Sequence, residues 1–185
     1  MKQGWEFKEL GEICNVYNGS TPLRSKKEFW ENGKINWFTV EDIRHQGRII
    51  SYTKQKISSL GFEKSSLKLL PPKSILLCCT ASVGEYAMNT VELTTNQQFN
   101  GIVVKNKDYL LPEYLFYFSS TLKKILLEKS GKTTIDFVSM KKVKSIKIPI
   151  PPIDKQKRIV AKLDQCFEAI DKARVNVEKN LQNAK

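Results

Sequence analysis

The sequence predicts an α/β (α+β) fold, with a mixed-sheet body followed by a long C-terminal helix of the coiled-coil-forming kind. Two observations carry this expectation. Up to residue 147, short runs rich in Val, Ile, Thr and aromatic residues alternate with helical segments and turn residues, the pattern of strands and helices layered around one core. Ile148-Pro149-Ile150-Pro151-Pro152 then puts three prolines within four positions, which forbids a helix interior or a central strand, and no Gly or Pro follows through Lys185. A chain of 185 residues holds one domain with a full core and a modest appendage, so the expected division is a body at 1–150 and a helix at 151–185.

Taken in order, residues 6–14 have the spacing of a short helix, and Asn18-Gly19-Ser20-Thr21-Pro22 is turn chemistry. Strands are expected at 35–40, 48–52, 74–80, 101–105 and 145–150. Pro112 opens a helix running to about residue 129, placed in a first turn where its missing N–H does no harm. Asp154 suits the N-cap of the last helix. There the apolar residues alternate three and four apart: Val160, Phe167, Arg174 and Leu181 share one heptad core position, and Leu163, Ile170, Val177 and Ala184 the other. At about 1.5 Å per residue this helix spans about 45 Å, more than a small domain covers with its own core, so part of the seam is expected to find a partner and the isolated chain to self-associate. Arg174 is the kind of polar interruption that fixes register in a helix pair; the competing reading is an ordinary surface helix with Arg174 snorkelling. The stretch reaches Lys185 without a stop signal and reads as a helix cut midway.

Lys and Arg exceed Asp and Glu by 12, an excess that attracts polyanions. Residues 1–150 carry 23 bases to 14 acids and residues 151–185 carry 8 to 5, so the body supplies most of the field. The densest segment, 121–150, has eight lysines (123, 124, 129, 132, 141, 142, 144 and 147) against Glu128 and Asp136, and is compatible with a phosphate-binding or a merely solvated face. Cys14, Cys78, Cys79 and Cys166 show no Cys-x-x-Cys spacing, and His45 does not complete a zinc site with them, so all four read as buried small hydrophobes with no metal. No apolar run is long enough for a bilayer, and Met1 leads into Lys2, Gln3, Gly4 and Trp5 without the apolar core of an export signal; the expected location is the cytoplasm.

Catalytic motifs fail one by one. Gly131-Lys132-Thr133 has Leu126 where a phosphate loop needs its first Gly, no Gly-x-Gly-x-x-Gly follows a strand, and Pro151-Pro152 leads to Ile153 rather than to an aromatic residue. What remains is contact chemistry: Lys, Arg and hydroxyls for phosphates, and Arg, Asn or Gln for base edges. The candidates are Arg24, Lys26, Lys27 and Lys34 around Phe29 and Trp30; Arg44, His45 and Arg48 in the next loop, with Gln46; Asn96, Gln97 and Gln98 side by side; and Lys132, Thr133 and Thr134. These cations are expected on a single side of the body. Any one of these loop residues taken alone fits plain solvated surface better, and Phe29 and Trp30 fit core packing better than base stacking.

The motif series is less generic. Leu10-Gly11-Glu12-Ile13, Asn18-Gly19-Ser20-Thr21-Pro22, Ile35-Asn36-Trp37-Phe38-Thr39 and Asp42-Ile43 are followed by Leu69-Leu70-Pro71, Ser74-Ile75-Leu76-Leu77, Ser82-Val83-Gly84 with Ala87, and Thr95-Asn96-Gln97-Gln98. Then come Tyr114-Leu115, Gly131-Lys132-Thr133, Ile146 to Ile153, Gln156 and Ile159-Val160. In this order the series resembles a target-recognition domain and the start of a spacer helix from the DNA specificity subunits of type I restriction-modification systems. One departure is Lys155-Gln156, where the family commonly has Glu-Gln.

The resemblance implies a non-catalytic subunit with no cofactor. Its members carry two recognition domains in tandem, each reading half of a bipartite site in double-stranded DNA, with long helices that pair antiparallel as a ruler. They recruit methyltransferase subunits and, through the complex, restriction subunits. One recognition domain and one partial helix then mean either a piece of such a subunit or a half-subunit that dimerises. Two other readings stay open: a non-catalytic coiled-coil interaction module with nonspecific nucleic-acid affinity, and, ranked last, a diverged nuclease or methyltransferase.

Overall fold

The computed structural model describes residues 4–80, 82–130 and 137–183. In chain order these form β1 (Glu6–Glu9), α1 (Leu10–Ile13), β2 (Cys14–Asn18), a 3-10 turn (Lys27–Phe29), β3 (Ile35–Phe38), α2 (Val40–Gln46), β4 (Ile49–Ile50), β5 (Gln55–Ile57), α3 (Ser59–Glu63), β6 (Ile75–Cys78), β7 (Tyr86–Asn89), β8 (Thr94–Thr95), β9 (Phe99–Val104), α4 (Pro112–Ser119), α5 (Leu122–Ser130), α6 (Met140–Lys144), β10 (Lys147–Ile150) and α7 (Ile153–Asn183). This is the mixed-sheet body and long C-terminal helix expected of the sequence.

The central sheet has five strands in the order β2-β9-β6-β7-β4, antiparallel except where β4 runs parallel to β7. Its middle strand, β6, is an unbroken apolar run because both of its faces are covered. Ile75 and Leu77 point into the larger core, shared with Leu115 of α4, Leu126 of α5, Val143 of α6 and Ile148 of β10. Leu76 and Cys78 point the other way, into a smaller core with Phe38, Leu70, Leu93 and Phe99. Phe38 and Phe99 meet edge to face at 4.8 Å. On that second side a three-stranded sheet, β5-β3-β8, carries a third cluster around Trp37, Ile57 and Leu67. Helices α1, α4, α5, α6 and the base of α7 therefore sit on one face of the central sheet, and the small sheet with α2 and α3 on the other.

Several local expectations give way to tertiary pairing. Residues 6–14 form a strand, a single helical turn and a second strand, because β1 pairs with β10 and β2 with β9 across the chain. Pro149 is tolerated because β10 pairs with β1 alone. Val40 leaves the expected strand for α2, where the Thr39 N–H donates to the Asp42 carboxylate at 2.8 Å and starts the helix. The other oxygen of buried Asp42 accepts from the Lys54 backbone at 2.9 Å. The strand at 48–52 shrinks to Ile49–Ile50. The helix expected at 112–129 is two helices. Between them, Ser120 Oγ donates to the Tyr117 carbonyl at 2.8 Å and Thr121 Oγ1 to that of Phe118 at 2.7 Å, satisfying the terminal carbonyls of α4 so that the chain can turn and bury Leu122 and Leu126.

Cys14, Cys78 and Cys79 are buried, and burial pushes the Cys14 and Cys79 thiols up to about 12, so neither is a thiolate at neutral pH. Cys166 departs from the expectation: it lies exposed on α7. Among the described residues no helix is long and apolar enough to cross a membrane.

Candidate nucleic-acid interface

Two chain segments distant in sequence are zipped together on the small-sheet side. The Gly19 N–H donates to the Phe99 carbonyl and that of Ser20 to the Thr95 carbonyl, both at 3.0 Å, while Trp37 Nε1 donates to the Ser20 carbonyl at 3.0 Å. Thr21 Oγ1 donates to Gln97 Oε1. Gly19 is required here by proximity and not by a tight turn: a Cβ on it would lie 2.0 Å from the Asn96 carbonyl oxygen.

This contact explains the fate of the polar trio. Asn96 is buried, and its amide is spent locally, donating to Gln98 Oε1 at 3.1 Å and accepting from the Gln98 backbone at 3.0 Å. Gln98 is half-buried in the same turn, and Gln97 is the exposed member. An Asn-x-Gln turn thus presents a single glutamine beside the loop that carries Arg24.

Arg24 is exposed, yet its guanidinium is held. It lies 3.7 Å from the Trp30 ring centroid and 4.8 Å from that of Trp37, and it donates to Gln55 Oε1 at 2.8 Å. Trp30 and Trp37 meet edge to face at 5.0 Å, so Trp30 packs on the core and supports Arg24 from beneath. Phe29 is buried, with Lys26 Nζ 5.2 Å from its ring centroid. Lys27 and Lys34 are exposed on either side. Below this loop a depression of about 490 Å³ has an apolar floor of Leu23, Phe29 and Leu60 and a polar rim that includes Lys26, Lys64 and Ser66. Sequence reasoning missed Gln55, the anchor of Arg24, and the Lys64-Ser65-Ser66 rim, although four consecutive polar residues between Phe62 and Leu67 do mark a surface segment.

The remaining candidates lie elsewhere. Arg44 and His45 belong to helix α2 and not to a loop; both are exposed. Arg48 faces the long helix: it donates to the Tyr86 hydroxyl at 2.9 Å, lies 4.5 Å from that ring centroid, and lines a cleft of about 400 Å³ with Asp164, Phe167 and Asp171 of α7. Lys132, Thr133 and Thr134 lie outside the described residues. Lys123, Lys124, Lys141, Lys144 and Lys147 are exposed on α5, α6 and β10, on the helical face of the central sheet. The expected single basic side is therefore divided in two, because the lysine-rich segment folds onto the opposite face of the sheet from the Arg24 loop.

The last candidate surface is α7. Val160 packs against the larger core and Leu163 is half-buried. Beyond them the seam is open: Phe167 is 49 % exposed, Ile170 59 %, Val177 57 % and Leu181 62 %. Arg174 points along the helix and pairs with Glu178 at 2.9 Å. Ala184 lies outside the described residues. Four exposed apolar side chains at heptad spacing form the stripe that a second helix covers in a coiled coil.

Comparison with known proteins agrees with this architecture. The model of the type I restriction modification DNA specificity domain matches residues 2–179. The specificity subunit of the type I restriction enzyme EcoprrI from Escherichia coli is 35 % identical over 169 residues, covering 90 % of this chain and 42 % of that protein. The MjaIX specificity subunit from Methanocaldococcus jannaschii is 32 % identical over 170 residues, covering 90 % of this chain and 39 % of that one. Among solved structures, the HsdS subunit from Thermoanaerobacter tengcongensis superposes with a TM-score of 0.71 at 23 % identity, over 92 % of this chain and 39 % of that chain. A chain from a structural study of complex assembly and conformational transition of the type I R-M system gives 0.76 at 25 % identity, over 99 % and 44 %. The chain spans about two fifths of the length of the curated relatives it matches. The family match and these identities extend over nearly the whole chain, and the chain belongs to the family of type I restriction modification DNA specificity domains.

Proposed function

We propose that residues 1–150 read one half of a bipartite site in double-stranded DNA, and that residues 151–185 set the distance to a second reader and dock methyltransferase subunits. Restriction subunits join through that complex. The chain itself is non-catalytic, needs no cofactor and works in the cytoplasm, where its DNA is. The observation that carries this reading is Arg24, stacked on Trp30 and tethered to Gln55, on the loop whose Thr21 hydroxyl donates to the exposed Gln97. An arginine so restrained loses little freedom on meeting a base edge, and Arg with Gln is the pair of side chains suited to guanine and adenine in the major groove. Lys26, Lys27, Lys34 and Lys64 suit phosphates, and Arg44 and His45 extend the basic surface.

In the complex with methyltransferase subunits, Arg24→Ala is expected to lower the preference for the cognate duplex over a scrambled one by about 1–3 kcal/mol. Lys26→Ala and Lys27→Ala are expected to weaken both duplexes alike and to flatten the salt dependence by about one unit of log–log slope each. Fluorescence anisotropy across a salt series measures both effects. Equal affinity of the parent complex for cognate and scrambled duplexes overturns the reading.

The open seam favours a second reading, a coiled-coil interaction module that touches nucleic acid without selectivity. Both readings expect Ile170→Asp with Val177→Asp to abolish helix-mediated association, since each side chain contributes about 1.5–3 kcal/mol when fully buried. Sedimentation equilibrium measures the loss, and the scrambled-duplex comparison separates the two.

A further inference from the structure

We propose that Gln156 and Tyr117 form a two-point mount that fixes the direction of α7 against the reading body and so sets which spacing of half sites is accepted. The proposal rests on the bipartite-site reading above for its consequence, and on geometry alone for the mount. Gln156 is 0 % exposed in a helix whose other residues are half-buried at most. Its Oε1 accepts from the Leu111 N–H, and its Nε2 donates to the carbonyls of Tyr109 and Pro151, all at 2.9 Å. Both amide donors and the oxygen are thus engaged by backbone outside α7, which holds the first turn against both tilt and rotation. An apolar side chain of similar size would fill the space but would neither orient the helix nor pair the Leu111 N–H and the Tyr109 and Pro151 carbonyls.

The second point lies eight residues further on. There the Tyr117 hydroxyl donates to Asp164, and the Tyr117 ring stacks on Phe167 at 5.6 Å with an interplanar angle of 7°. Burial first, and then the carboxylate it faces, raises the Tyr117 hydroxyl far above the ordinary tyrosine range, so it stays a donor. At about 1.5 Å per residue the two points are about 12 Å apart, and about 28 Å of helix extends beyond the second. A slip of about 1 Å at Asp164 with Gln156 held fixed moves the far end by about 3 Å. That is close to the rise of one base pair, about 3.4 Å. A stiff mount therefore converts a spacing error of one base pair into lost contacts, and a loose one absorbs it.

Spin labels at Lys56→Cys and Asn180→Cys in a Cys166→Ser background, where the other cysteines are buried, report the direction of α7 in the chain by dipolar spectroscopy. One narrow distance distribution is expected for the parent, broadened or shifted by Gln156→Met and by Tyr117→Phe. If Gln156→Met does not fold, Tyr117→Phe, which loses only a part-exposed hydroxyl, carries the test. In the methyltransferase complex, on duplexes whose half sites are separated by one base pair more or fewer, both variants are expected to lose about tenfold in spacing preference, while affinity at the best spacing is kept. Unchanged distances in both variants overturn the mount. Altered distances with an intact spacing preference overturn its link to spacing. A parent complex without sequence preference sinks the DNA reading, and the label distances then decide the mount alone.

Discussion

Deletion of residues 155–185 is expected to leave a body that no longer folds cooperatively, whereas deletion of residues 168–185 is expected to leave its unfolding midpoint nearly unchanged. The proline segment suggests that the helix is detachable from residue 151 onward, but its first turns belong to the larger core. Ile159 and Val160 pack there, and Gln156 satisfies the Leu111 N–H and the Tyr109 and Pro151 carbonyls. Each buried backbone group left without a partner costs about 1–3 kcal/mol. With the apolar contacts added, the longer deletion removes more than about 5 kcal/mol from a domain whose whole stability is typically about 5–15 kcal/mol. Among the described residues the shorter deletion removes only exposed side chains. Urea titrations followed by tryptophan fluorescence and circular dichroism distinguish the two. A cooperative transition at the parental midpoint in the longer deletion means that the helix base contributes nothing to the core.

Gly19→Ala is the second large effect, expected to destabilise the chain by about 3 kcal/mol or more, at or above the usual cost of overpacking. The added Cβ meets the Asn96 carbonyl oxygen at 2.0 Å, Thr95 Oγ1 at 2.3 Å and the Thr95 carbonyl oxygen at 2.5 Å, and two of these are backbone atoms that move only with the turn itself. Because that turn presents Gln97, the substitution is also expected to blunt discrimination between duplexes more than it weakens binding to them. Gly47 is the control: its φ of +74° disfavours a side chain, but nothing lies within 4 Å of a Cβ there. Gly47→Ala is therefore expected to cost about 1–2 kcal/mol from backbone strain alone. Hydrogen exchange of the Gly19, Ser20 and Asn96 amides follows the local effect. Full protection in Gly19→Ala is incompatible with the zipped contact.

The legible parts of this fold were those written locally. Three prolines followed by a heptad pattern whose polar member is Arg174 define α7 because both signals act within a few residues. Residues 6–14 have helical spacing, yet only Leu10–Ile13 make a helical turn, and the residues on either side form strands because their partners lie in β9 and β10, far along the chain. The same holds for the interface. Cations and tryptophans around residues 24–30 are visible as composition, but the anchor Gln55 and the contact of Gly19 with Asn96 exist only after long-range folding. Asn96 looked interchangeable with its neighbours, and only the turn reveals that its amide is consumed within the protein. The split of the lysines between two faces was illegible because sequence adjacency carries no record of which side of a sheet a helix packs on.

The central sheet ends in a strand of only two residues, Ile49–Ile50, and its opposite border, β2, has α6 lying alongside. Neither border offers a long free ladder of amides to which a foreign chain can add. Among the described residues the exposed apolar side chains that recur at heptad spacing lie instead on α7, so concentrated samples are expected to associate by pairing of helices in register.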